Sequence, residues 1–147
     1  WYQIRQLKQD RKSAAAFELT RIFQSPTFAH GLYCVAKTPE GLSAEEFEEF
    51  HQEDMSDVIT LLTTWESLGA MIFRKELDWD LMYDYFAGAI VVTYLKTERV
   101  IADWRTSNNR DSFLEWMQWL AERVMEVEDD TPTLPAHVLH KDWSPSR

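Results

Sequence analysis

A chain of 147 residues with 45% hydrophobic and 14% aromatic content is long enough for one well-filled core and too apolar for a disordered segment. Its formal net charge of −10 lacks the cationic surface that general nucleic-acid binding requires, and its single cysteine, Cys34, excludes an internal disulfide framework. Only four Gly and five Pro interrupt it, so long helices are open to it, yet no run reaches the roughly 20 apolar residues of a membrane span.

Residues 1–24 read as one helix with a thin apolar stripe (Ile4, Leu7, Ala15, Leu19, Ile22) and a polar middle. Its first twelve residues hold Arg5, Lys8, Arg11 and Lys12 against Asp10, a local charge of +3. The other 135 hold eleven of the fifteen cations and twenty-four of the twenty-five acids, a charge of −13. Trp and Tyr favour the headgroup level of a bilayer and Lys/Arg its cytoplasmic side. Trp1, Tyr2, Arg5, Lys8, Arg11 and Lys12 therefore form a candidate membrane interface. On this pattern the native gene is expected to encode about 20 apolar residues just upstream of Trp1.

Ser25-Pro26 marks an N-cap and first helical position, opening a short helix from Thr27 to about Ala36. Pro39 and Gly41 make a loop, and Ser43-Ala44-Glu45-Glu46 fits a capping box for a third helix ending near Gln52. Val58, Leu62, Trp65, Gly69 and Ile72 then step by four and three along one helix face, with Arg74-Lys75 in the last turn. Asp78 caps a helix running to about Trp104. Its middle, Tyr85–Leu95, is apolar nearly all round, so it is expected to be the central buried element, with Gly88 admitting a close neighbour. A last helix spans about Asp111 to Glu126 on Phe113, Met117, Leu120, Val124 and Val127.

The fold expected is all-α: a bundle of three long and two short helices over 25–127, a juxtamembrane helix over 1–24, and an irregular tail over 128–147. In that tail Leu134, Val138, Leu139 and Trp143 are too apolar for an inert linker, so it is expected to lie on the domain or on a partner.

Chemistry is sparse. Glu48-x-x-His51 is one half of a di-iron carboxylate motif, and no other histidine has a Glu three positions before it. His30 and Cys34, four apart, share a helical face, but nothing in the sequence marks an orienting third group. Asp78-Trp79-Asp80 fails as a calcium loop, because Tyr83 and Ala89 stand where a Gly and a Glu are needed. No phosphate-binding, dinucleotide or hydrolase motif occurs, so no cofactor is expected. Trp65-Glu66 and Trp104-Arg105 each join an aromatic to a charge, and Glu66 with Arg105 is read as an ion pair fixing helix register.

Trp65-Glu66-Ser67-Leu68-Gly69, Lys75-Glu76-Leu77-Asp78, Tyr85-Phe86-Ala87-Gly88 and Trp104-Arg105 together resemble an uncharacterised bacterial family. The resemblance covers roughly residues 45–125. It implies one N-terminal membrane helix followed by a cytosolic all-helical domain of about this size, and supplies no activity. A small residue is the family's expected occupant where this chain has Lys75-Glu76.

The function expected is a non-enzymatic, membrane-tethered helical module on the cytoplasmic side, an interaction domain or accessory subunit of a membrane complex. Protein partners are expected at Trp116, Trp119, Leu134 and Trp143, since aromatic residues dominate interface hot spots. The alternative is a soluble helical metal-binding protein or enzyme built on Glu48, His51 and Glu66.

Overall fold

A computed structural model describes residues 2–131 and 134–145; Trp1 of the proposed membrane interface lies outside them. The described residues form α1 (Tyr2–Phe23), α2 (Pro26–Lys37), α3 (Ala44–His51), a 3-10 turn (Gln52–Asp54), α4 (Met55–Phe73), α5 (Trp79–Asn108), α6 (Glu115–Asp130) and a four-residue α7 (Ala136–Leu139), with no strand among them. The all-α bundle read from the sequence is the fold observed.

Local chemistry sets most boundaries. Ser43 accepts from the Glu46 N–H while Glu46 accepts from the Ser43 N–H, so the expected capping box starts α3. Asp78 caps α5 by accepting from Asp80 N–H. α4 ends where Lys75 takes a left-handed φ of 59°, and Lys75 and Glu76 donate back to Ile72 and Met71 carbonyls. A left-handed backbone crowds a Cβ, which gives a physical reason for the small residue that the family resemblance led us to expect here. α5 runs four residues past Trp104, because Ser107 and Asn108 bond back to the Trp104 carbonyl instead of opening a loop. Asn109, left-handed, then stops it. α6 begins four residues later than Asp111, because residues 111–114 form turns and Leu114 adopts φ 55°.

α4, not α5, is the central element. It lies between α2 and α6, and α5 closes the ring against α6 and α2 while α3 packs on α5. All five stripe residues of α4 are buried. On α5 the run that looked apolar all round buries Phe86, Ile90 and Tyr94 but leaves Tyr85, Val92 and Leu95 close to half exposed. Among the described residues its outer face is left partly open to solvent. α4 and α5 meet across the core through rings: Trp65 packs edge-on against Phe28 at 5.1 Å and Phe86 at 5.3 Å, and its Nε1 donates to Thr93.

Close backbone approaches occur at other glycines than the one expected. A Cβ on Gly88 would meet nothing within 4 Å. One on Gly69 would lie 2.3 Å from the Trp116 carbonyl oxygen, and one on Gly31 would lie 2.5 Å from that of Asp57. These two contacts seat α6 and α2 on α4.

Polar side chains of α5 tie down the 36–44 connection. Lys96 donates to the Ala36 and Thr38 carbonyls at the C-terminal end of α2, Arg99 donates to the Gly41 carbonyl, and Asp103 accepts from the Ala44 N–H.

Candidate functional site

α1 is the least integrated element. Its buried anchor is Leu19, and every residue from Tyr2 to Ala14 is exposed. At 1.5 Å per residue that free half is about 20 Å long. Arg5, Lys8 and Lys12, spaced i, i+3, i+7, share one face, with Ile4 and Leu7 (61% and 60% exposed) on the neighbouring one. The basic residues read from the sequence thus sit on the exposed half of α1, Arg5 and Lys8 toward its tip and Arg11 and Lys12 beside the body. Among the described residues no helix is long and apolar enough to cross a membrane.

Where α1 meets the body it bounds an open groove of about 900 Å³, lined by Arg11, Lys12, Ala15 and Glu18 on one side and Leu77 and Trp79 on the other. On the far side of α4's end, Phe73 contacts Trp116 at 4.8 Å and Trp119 at 5.8 Å. Both tryptophans are half-buried, so they form a mixed patch, part core support and part surface. The apolar side chains of the tail are not buried on the domain: Leu134 is 59% and Trp143 72% exposed, and Val138 and Leu139 are exposed as well. The reason is geometric. α6 continues to Asp130 although the last residue it buries is Val124, and the single turn of α7 offers no continuous apolar stripe.

Glu66 and Arg105 converge on the start of α6 but form no salt bridge with each other. Leu114, at the N-cap of α6, has no side-chain acceptor, and Glu66 Oε2 accepts from Met117 N–H at 2.8 Å in its place. Arg105 Nε donates to the Phe113 carbonyl and its Nη1 to Gln118 Oε1. Each group is satisfied by the α5–α6 connection or α6, which removes the drive for a direct pair. Burial pushes the Glu66 carboxyl above its usual range, opposed by the Met117 and Trp116 N–H groups and only last by Arg105.

Glu48, His51 and Glu66 do not come together. Glu48 Oε1 accepts from Trp104 Nε1 at 2.8 Å, while the buried His51 ring places Nε2 2.9 Å from Thr38 Oγ1. Thr38 donates to the Cys34 carbonyl, so His51 is the donor to Thr38 in that chain. Burial holds His51 below the usual imidazole range.

A different polar cluster is present. His30 Nδ1 lies 2.6 Å from Asp57 Oδ2, and its Nε2 lies 3.6 Å from Cys34 Sγ and 3.8 Å from Asp54 Oδ1. The third group that sequence spacing failed to mark comes from 27 residues downstream, where only tertiary packing at Gly31 connects it. The i, i+4 spacing of His30 and Cys34 was the available signal; their acidic partners had none.

The chain belongs to the family described as a domain of unknown function, DUF4760, which matches residues 1–124. No curated protein and no solved structure matches it.

Proposed function

We propose that this is a non-enzymatic helical module held at the cytoplasmic face of a membrane, with α1 as its juxtamembrane element, serving as an interaction domain or accessory subunit of a membrane protein complex. The observation that carries the reading is the bare N-terminal half of α1: thirteen exposed residues with four cations, next to a body of opposite charge. A helix with no apolar face to bury on its own domain is marginal in water and gains stability from another surface. Each Lys or Arg near an anionic leaflet contributes about 1 kcal/mol, so four contribute about 4, on the order of a thousandfold in binding. The arm exceeds the Debye length of about 8 Å, so the acidic body does not cancel this attraction at its tip. Phe73, Leu134 and Trp143, with the solvent-facing parts of Trp116 and Trp119, are then the surfaces for a protein partner. That Glu48, His51 and Glu66 are engaged by three separate partners favours this reading over a metal enzyme built on them.

Vesicle flotation tests it. The chain should float with phosphatidylserine-containing vesicles at low salt and not with neutral ones. Arg5→Glu, Lys8→Glu, Arg11→Glu and Lys12→Glu together should abolish flotation without changing thermal unfolding. Flotation that is absent, or insensitive to these four changes, contradicts the proposal.

A further inference from the structure

We propose that His30, Cys34 and Asp54 are the protein ligands of a divalent transition-metal site, zinc by donor type, with Asp57 orienting His30 and the fourth position open. The inference is independent of the membrane reading. His Nε2, Cys Sγ and an Asp oxygen all lie within 4.8 Å of one another, the one set of three or more such groups among the described residues. In a tetrahedral zinc site with Zn–S of about 2.3 Å and Zn–N of about 2.0 Å, the S···N edge is about 3.5 Å. The Sγ–Nε2 separation is already 3.6 Å. The N···O edge of such a site is about 3.4 Å, so the 3.8 Å between His30 and Asp54 needs a few tenths of an ångström of side-chain movement.

The surroundings fit a ligand set better than a chance cluster. Nδ1–H of His30 donates to Asp57, which leaves the Nε2 lone pair toward Cys34, the arrangement that metal-bound histidines use. Asp54 ends the 3-10 turn that leads into α4, with a helical backbone and no side-chain capping bond, so its carboxylate is left to face His30. The frame is rigid. His30 and Cys34 lie one turn apart on α2, and Gly31 lets that turn rest on the Asp57 carbonyl. Cys34 is closed off from solvent, whereas His30 and Asp54 are 44% and 49% exposed, which gives a metal an entry path and leaves room for a water or an exchangeable ligand.

Donor softness selects the ion. One thiolate and one imidazole suit zinc or cobalt(II), and one monodentate carboxylate is too little oxygen for calcium or magnesium. Metal binding releases the thiol proton. Without metal, burial and the nearby Asp54 and Asp57 charges keep that proton on, which speaks against a Cys–His nucleophile; a dication reverses the local charge.

Cobalt(II) titration of the purified full chain, with a non-chelating reductant, reads the site directly. One equivalent should produce thiolate-to-cobalt charge-transfer absorption that one equivalent of zinc(II) abolishes. His30→Gln and Asp54→Asn, both at half-exposed positions, should each weaken binding at least a hundredfold, and Asp57→Asn by ten- to a hundredfold. His137→Gln with His140→Gln should change nothing. Cys34→Ser should remove the absorption; since Cys34 is in the core, the His30 and Asp54 variants carry the test if it fails to fold. No thiolate–cobalt absorption with excess metal, or affinity indifferent to His30→Gln and Asp54→Asn, overturns the proposal.

Discussion

Leu114 holds the N-cap of α6 in a left-handed backbone, an arrangement that leaves the first turn of the helix without a local side-chain cap. Glu66 supplies one from α4. Replacing it with Ala removes a cap, so Glu66→Ala should cost about 1–2 kcal/mol in urea unfolding. The larger cost of stranding a buried charge is not expected, because Arg105 keeps its bonds to Phe113 and Gln118; a Glu66/Arg105 double-mutant cycle should show little direct coupling. His51 makes a pH prediction. Its folded pKa lies below its unfolded value of about 6.5, so the unfolded chain takes up the proton first. Its contribution to stability is present above pH of about 6.5 and is lost as pH falls toward the depressed folded value. His51→Gln should flatten the stability profile in that interval, and an unchanged slope there would refute the assignment. At this scale the sequence revealed that Glu66 and Arg105 matter together, but not how. Their partners are backbone groups of α6 and its approach, which no side-chain charge pattern records.

At the scale of elements, periodicity and capping chemistry were readable because both are local. The four-three stripe of α4 and the Ser43–Glu46 box appear in the structure where spacing placed them. The start of α6 and the end of α5 were not readable, since turn-forming residues at 106–108 were recruited into a helix by bonds to their own backbone. The burial of α5 was misjudged for a related reason: an apolar run all round a helix does not say which neighbours arrive. Glycines separate the two cases. Gly69→Ala drives a Cβ into the Trp116 carbonyl and should cost about 1–3 kcal/mol. Gly88→Ala, in open space within α5, should stabilise by up to about 1 kcal/mol. Thermal or urea unfolding of the two variants checks both, and equal effects would contradict the packing described.

For the whole molecule, the division between a basic arm and an acidic body was legible in the sequence, because charge is counted without knowing the fold. That the first half of α1 is exposed, that the tail's apolar side chains are not buried, and that His30, Cys34, Asp54 and Asp57 meet were not, because each depends on tertiary contacts. The membrane reading rests on the arm behaving as a free element that another surface orders. Amide hydrogen exchange on and off anionic vesicles measures this most directly. In solution, residues 2–14 should exchange far faster than the α4 core, since few tertiary contacts hold them. On phosphatidylserine-containing vesicles these same residues should become protected while α2–α6 remain unchanged. An arm equally unprotected with and without vesicles, or protection confined to the body, would contradict the role assigned to α1.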